Sequence, residues 1–128
     1  SMDDALDPSA LQAARERLGE AREEALRRWD SVQSRVEDLR RDRAEEPADD
    51  EHDPDGPTLS SEWTMAEAQR GVVESAIAEI DAALARVEDG RYGLCLRCGR
   101  PISPERLAAR PSAATCLDCA RRASRSPR

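Results

Sequence analysis

The chain has 128 residues, a net charge of −7 and 37% charged residues. It contains two Trp, one Tyr and no Phe, which excludes a large globular core and an enzyme pocket lined with aromatic rings. The composition instead predicts long helices that bury a narrow apolar seam, and we expect a protein that is not an enzyme and has no catalytic residues.

We find no targeting signal in the N-terminal segment. We expect residues 1–7 to form a disordered N-terminus, in which Ser1 is a cloning remnant ahead of a natural start at Met2. Neither this segment nor any other has an apolar run long enough for a secretory signal or a membrane span. We therefore expect a cytoplasmic protein with reduced thiols and no membrane partner.

A first long helix is predicted from residue 8 to about residue 43. Asp7 is a suitable N-cap, and Pro8 suits the first helical position. The apolar seam repeats every seven residues, with two further residues on a neighbouring row: Leu11, Leu18, Ala25, Val32 and Leu39, then Trp29 and Val36.

Residues 44–58 are predicted to be an acidic connection between two helices. Pro47, Pro54, Gly56 and Pro57 prevent either helix from continuing through it. Seven carboxylates and no arginine lie between residues 45 and 55: Glu45, Glu46, Asp49, Asp50, Glu51, Asp53 and Asp55.

A second helix is predicted to begin between Leu59 and Thr64 and to end at Asp89. Thr64 and Glu67 have the spacing of a capping box, and Gly90 stands where a C′ glycine belongs. Its seam comprises Val73, Ile77, Ile80, Leu84 and Val87. The sequence therefore predicts an all-α fold, in which residues 8–89 form a long antiparallel coiled-coil helical hairpin with residues 44–58 as its acidic tip.

Four cysteines form two pairs with 17 residues between the inner members. A two-residue gap lets both sulfurs of a pair reach one ion, and two such pairs complete a tetrahedron. Gly93 and Gly99 flank the first pair and permit the positive φ angles of such a turn. Two disulfides or two redox-active dithiols would also fit the spacing. We favour one structural Zn²⁺ held by Cys95, Cys98, Cys116 and Cys119.

Residues 90–122 are predicted to form a small four-cysteine zinc-finger module. Ser103 and Pro104 suit the start of a short helix that ends near Ala109, and a final helix should include Cys119 and run through Arg122. We expect residues 123–128 to be a flexible tail. Because the module is too small to bury much apolar surface, the metal should supply much of its folding free energy.

The residues from Val87 to Cys119 resemble the zinc-finger signature of the bacterial DksA/TraR family. The resemblance runs without a gap through some 30 residues and rests on these positions: Val87 to Cys95, Cys98, Gly99, Ile102, Arg106, Leu107, Ala109, Pro111, Ala113, Cys116 and Cys119. It implies a transcription regulator that binds RNA polymerase and inserts its coiled coil into the secondary channel.

The resemblance also implies that acidic residues at the tip, here Asp50, Asp53 and Asp55, act near the polymerase active site. Family members carry Asp-x-x-Asp-x-Ala there. Gapless counting from Cys95 places the second Asp on Asp55 and replaces the first with His52. A shift of two residues recovers Asp50-x-x-Asp53 instead, with Asp55 at the Ala position, so the motif is incomplete in either register.

The family's site for guanosine tetraphosphate also differs in this chain. Two lysines associated with that site fall on Glu79 and Ala120, whereas an arginine is kept as Arg110. We therefore expect little alarmone dependence, with Arg110 as a polymerase or anion contact.

Two other classes of protein fit part of the pattern. In a zinc-thiolate redox switch, Arg97 and Arg100 would lower the pKa values of nearby thiols. In a small nucleic-acid-binding zinc ribbon, the nine arginines of residues 91–128 would contact phosphates. Net acidity argues against sequence-specific DNA binding, and we expect a monomer.

Overall fold

The computed structural model describes residues 7–45 and 59–125, which form four helices. These are α1 (Pro8–Glu45), α2 (Leu59–Asp89), α3 (Pro104–Ala109) and α4 (Leu117–Arg125). Within these residues the β-type pairing is an isolated antiparallel bridge between Leu94 and Pro101. The all-α fold predicted from composition and periodicity is confirmed.

Helix α1 begins as its sequence predicts. The Asp7 carboxylate accepts a hydrogen bond from the backbone N–H of Ala10 at 2.7 Å, which satisfies one of the free donors of the first turn. Pro8 is the first helical residue, where its missing N–H costs nothing. The helix ends at Glu45, close to the predicted end near residue 43.

Helix α2 begins at Leu59, so the predicted capping box at Thr64 is wrong. Thr64 lies inside the helix, where backbone N–H groups already bond within the helix and need no cap. The Glu67 carboxylate instead accepts a hydrogen bond from Arg70 at 2.6 Å.

The end of α2 has the predicted glycine. Gly90 has a φ of 78° and follows Asp89, the last helical residue. The N–H of Arg91 bonds the Arg86 carbonyl at 2.9 Å, and the N–H of Gly90 bonds the Val87 carbonyl at 3.2 Å. These two bonds constitute a Schellman motif, which ends the helix and satisfies carbonyls of its last turn.

The chain divides into two compact units, one from residues 1–23 and 78–128 and the other from residues 24–77. In the first, the start of α1 runs antiparallel to the end of α2, as shown by the ion pairs Arg15–Glu88 at 3.2 Å and Arg22–Asp81 at 2.6 Å. This unit also contains α3, α4 and the four cysteines. Its buried helical seam comprises Ala14, Leu18, Ile80, Ala83 and Val87.

In the second unit, the rest of α1 and the start of α2 are also antiparallel. Trp29 Nε1 donates to Glu74 at 3.3 Å, and Arg70 donates to Gln33 at 2.9 Å. Its buried cluster is Val36, Leu39 and Ala66, with Val32 and Trp63 packed against it. The predicted antiparallel pairing of the two helices and its seam are thus confirmed in both units, whereas residues 46–58 of the predicted tip lie outside the described residues. Trp29 and Trp63 lie half-buried beside the seam.

Small residues contribute more of the seam than the periodicity indicated. Ala14, Ala66 and Ala83 are fully buried, although none was assigned to the predicted seam. Alanines at such positions allow two helices to approach closely. None of the described helices is both long and apolar enough to cross a membrane.

Candidate zinc centre

The first cysteine pair lies in a tight turn whose N–H groups point at sulfur. The N–H groups of Arg97 and Cys98 each lie 3.4 Å from Cys95 Sγ. The N–H of Gly99 bonds the Cys95 carbonyl at 2.9 Å, and the φ of 79° at Gly99 closes the turn. The conformational role predicted for this glycine, and for Gly93 with its φ of 91°, is confirmed.

The second pair is built by the start of α4. The N–H of Cys119 lies 3.5 Å from Cys116 Sγ, and the N–H of Ala120 bonds the Cys116 carbonyl at 2.9 Å. Cys119 therefore lies in the first turn of the final helix, as predicted. The helix is longer than predicted, because it continues past Arg122 to Arg125.

The four sulfur atoms converge on one point. All lie within 4.8 Å of one another, and Cys98 Sγ is 3.8 Å from Cys116 Sγ. A tetrahedron with Zn–S bonds of about 2.3 Å has edges of about 3.8 Å. A disulfide needs sulfurs about 2.05 Å apart, and the four cysteines are free. The four thiols therefore fit one structural zinc ion.

Titration of the thiols suits a metal site. Burial alone would raise the pKa of Cys95, but hydrogen bonds from the backbone N–H groups of Cys98, Cys116 and Arg97 outweigh it and lower that pKa to about 6. The pKa of Cys119 is raised to about 12, first by its hydrogen bond to Cys116 and then by burial. Where negative sulfurs lie close together without a cation, the last thiol resists losing its proton. A dication that binds there must displace that proton.

Backbone hydrogen bonds connect the two cysteine turns to each other. The N–H of Leu96 bonds the Ala114 carbonyl at 2.8 Å and links the two turns, while the N–H of Cys95 bonds the Arg100 carbonyl at 2.8 Å within the first turn. Ser103 caps α3 by accepting from the N–H of Arg106 at 3.2 Å, as predicted. Leu107 and Ile102 are buried beneath the turns and supply part of the small apolar core.

Tyr92 anchors the zinc module and was missed by sequence reasoning. Its side chain is 1% exposed, and its hydroxyl donates to the Pro111 carbonyl at 2.6 Å. Burial raises its pKa. As the only tyrosine of a chain without phenylalanine, immediately before Gly93, it could have been singled out as a core residue.

Arg86 was missed as well. It is only 6% exposed, and its guanidinium donates to the Ala113 carbonyl at 3.4 Å, which joins α2 to the segment before Cys116. Burial lowers its pKa. The available signal was its position beside Val87 at the end of the seam, where an arginine is unexpected.

The structure brings together the three positions compared with the family's alarmone site. Glu79, Arg110 and Ala120 line a groove of about 620 Å³ in the first unit. Arg110 lies 3.7 Å from Glu79 in an exposed ion pair. The predicted tip residues Asp50, Asp53 and Asp55 lie outside the described residues.

Comparison with known proteins agrees with this geometry. Residues 90–125 match the prokaryotic dksA/traR C4-type zinc finger. The transcription factor DksA2 from Pseudomonas aeruginosa is similar in structure, with a TM-score of 0.75 and 26% identity over 92% of this chain and 85% of that one. The DnaK suppressor protein from Agrobacterium tumefaciens is 31% identical, with a TM-score of 0.54, over 87% of this chain and 91% of that one.

The chain belongs to the DksA/TraR family. Its curated relatives include the RNA polymerase-binding transcription factors DksA of Caulobacter vibrioides, 48% identical over 52 residues, and of Escherichia coli K12, 46% identical over 43 residues. The aligned part spans 41% of this chain and 37% of the Caulobacter protein, and 34% and 28% for the Escherichia protein. These alignments thus cover about a third of the length of the curated DksA proteins.

Proposed function

We propose that this protein binds bacterial RNA polymerase in the cytoplasm and regulates transcription, and that it is a regulator rather than an enzyme. The observation that carries the proposal is the structural similarity to DksA2, which extends over 92% of the chain and thus includes the hairpin as well as the zinc module. The relatives with matching zinc modules are named as RNA polymerase-binding transcription factors.

The acidic segment, residues 44–58, is the part proposed to act. In this mechanism the hairpin enters the secondary channel and delivers Asp50, Asp53 and Asp55 to the vicinity of the active site. Carboxylates are suited to this role, since they pair with basic side chains and bind Mg²⁺ through oxygen. The four cysteines bind zinc for a structural purpose, and the molecule works as a monomer without direct recognition of a DNA sequence.

The first prediction concerns the three tip aspartates. The triple variant Asp50→Asn, Asp53→Asn and Asp55→Asn should lose most of its effect on transcription in vitro, because it removes three charges without changing side-chain size. A matched control removes three exposed acids of α1: Glu20→Gln, Glu23→Gln and Asp30→Asn. Equal activity of the tip variant and the native protein would contradict the proposed role of the segment.

The groove lined by Glu79, Arg110 and Ala120 supports the expectation that the protein's effect depends only weakly on guanosine tetraphosphate. Arg110, the cation kept from the family's site, is paired with the Glu79 carboxylate, and Ala120 supplies no charge to the same groove. An anionic ligand would have to displace Glu79 and would meet its negative charge. The local electrostatics thus disfavour binding.

The second prediction follows from this pair. The alarmone should change the transcriptional effect of the native protein little, whereas Glu79→Lys with Ala120→Lys should create a response. Each new charge-assisted bond contributes about 1.5–3 kcal/mol, so each lysine should raise the affinity for the alarmone by roughly tenfold or more. Transcription assays with and without guanosine tetraphosphate measure both effects. Strong synergy between the alarmone and the native protein would overturn the prediction.

A further inference from the structure

We propose that Gln33 and Arg70 are positioning residues that fix the register of the helical hairpin. Their hydrogen bond prevents α1 and α2 from pairing one heptad out of step. A shift of seven residues displaces one helix along the other by about 10 Å. The pair thereby determines which residues of α1 lie opposite which residues of α2.

The most regular row of the apolar seam cannot fix the register by itself. Its residues recur every seventh position on both helices, so a shift of one heptad again places apolar residues opposite apolar residues. The repeating positions are Leu11, Leu18, Ala25, Val32 and Leu39 on α1, and Ala66, Val73, Ile80 and Val87 on α2.

One flank of the seam is equally permissive. Its polar pairs are also spaced by seven on each helix: Arg15–Glu88, Arg22–Asp81 and Trp29–Glu74. A shift of one heptad in one direction sets Arg15 opposite Asp81 and Arg22 opposite Glu74, so each arginine again meets a carboxylate. A shift in the other direction sets Arg22 opposite Glu88. This flank therefore discriminates little between the registers.

The other flank distinguishes the registers. Here Arg70 donates to Gln33 at 2.9 Å, and the Arg40 guanidinium lies 5.4 Å from the centre of the Trp63 ring. A shift of seven in one direction would place Arg70 opposite Arg40, where like charges repel. A shift in the other direction would place it opposite Leu26, which offers no acceptor.

Burial makes a mismatch at Arg70 costly. Its side chain is 26% exposed and that of Glu67, which binds the same guanidinium at 2.6 Å, is 29% exposed. In the permissive pair Arg15–Glu88 the values are 42% and 70%. Glu67 lies on the same helix and stays with Arg70 in any register, so a shift removes the Gln33 partner alone. A half-buried charge that loses a partner pays more desolvation than an exposed one, and a polar residue beside an apolar seam specifies register for this reason.

The effect on activity rests on the proposed function, whereas the register itself does not. If the acidic segment acts on polymerase, a slipped hairpin joins that segment to two helices that are displaced along each other by one heptad. Activity should then fall even though the protein remains folded and zinc-bound.

The test replaces both residues by leucine, Gln33→Leu with Arg70→Leu, in the zinc-loaded full chain. Nuclear Overhauser effects from the Trp63 ring to the methyl groups of Val36 and Leu39 report the native register, since these residues pack together. We expect a second set of resonances with different contacts, and a melting temperature that is unchanged or higher. Apolar replacement of a buried polar pair is often neutral or stabilising.

Two further variants separate register from stability. The exchange Gln33→Arg with Arg70→Gln keeps one guanidinium opposite one amide, and Glu37, which now accepts from Gln33 at 3.1 Å, can bind the new arginine. It should restore a single register. The control Arg22→Gln with Asp81→Asn removes a permissive pair and should leave the register unchanged.

A single native set of contacts in the double-leucine variant would overturn the proposal. Failure of the exchange variant to restore one register would do the same. Transcription assays on the same proteins distinguish this result from failure of the proposed function. If the native protein has no effect on transcription but the leucine variant shows two registers, the proposed function fails and the register proposal stands.

Discussion

Tyr92 and Arg86 join the end of α2 to the zinc module at the level of single residues. The Tyr92 hydroxyl bonds the Pro111 carbonyl, and the Arg86 guanidinium bonds the Ala113 carbonyl. The Arg86 carbonyl also accepts from the N–H of Tyr92 at 3.2 Å. These contacts orient the chain between the two cysteine pairs and help to hold the four sulfurs around one point.

A third prediction tests this joint. Tyr92→Phe keeps the buried ring but removes the donor to Pro111, which leaves a carbonyl without its partner. The free energy of unfolding should fall by about 1–2 kcal/mol, while zinc stoichiometry stays at one per chain. Thermal unfolding and atomic absorption measure the two quantities.

The matched control for that prediction is Thr64→Ala. Thr64 is exposed inside α2, so its replacement should change stability by less than about 0.5 kcal/mol. A loss as large as that of Tyr92→Phe would mean that Thr64 caps a helix after all. An unchanged melting temperature in Tyr92→Phe would contradict the anchoring role of the hydroxyl.

Single-residue roles divided sharply between predictable and unpredictable ones. Ser103, Asp7 and Gly90 were predictable, because caps and C′ glycines act on backbone groups only a few residues away. Arg86 and Tyr92 were not, because their partners are 27 and 19 residues distant and are backbone carbonyls without a sequence signature.

At the scale of elements, the zinc module depends on its metal. Helices α3 and α4 have six and nine residues, too short to be stable alone in water. The module buries few large side chains, among them Tyr92, Ile102 and Leu107. Metal binding should therefore supply much of its folding free energy.

A fourth prediction follows for metal removal. Chelation of zinc should unfold α3 and α4 and expose Tyr92, because the metal–sulfur bonds that tie the two cysteine turns together are lost and the small core cannot compensate. Residues 24–77 should keep their helical signals, since their seam contains no zinc ligand. Circular dichroism and amide spectra recorded with and without chelator provide the measurement. Unchanged spectra and melting would contradict a structural zinc.

The long helices were predictable because the heptad spacing of apolar residues agreed with the positions of the residues that start and end helices. The heptad rows of α1 and α2, together with Pro8 and Gly90, located three of the four helix ends within about two residues. The start of α2 at Leu59 lies within the predicted range, Leu59 to Thr64, but the predicted capping box was wrong because Thr64 and Glu67 match one by spacing alone. Spacing gives no information on whether the preceding residues, here from Leu59, are already helical.

At the scale of the whole molecule, the residues that match the family are not the residues that we propose to act on RNA polymerase. The four cysteines and their neighbours match the family, and their geometry was predictable from the CxxC spacing. The ion pair of Arg110 with Glu79 was not predictable, since gapless comparison showed only which charges had changed. The acidic segment holds the proposed activity, which we assign to Asp50, Asp53 and Asp55.

The fifth prediction tests the central claim directly. A photo-crosslinking amino acid is placed at Asp53 in the zinc-loaded chain, which is then mixed with core RNA polymerase from the same bacterium and irradiated. Crosslinked peptides identified by mass spectrometry should come from the walls of the secondary channel near the active site, and an excess of native protein should abolish them. Crosslinks confined to the outer surface of the polymerase, or the absence of any complex, would contradict the proposed function.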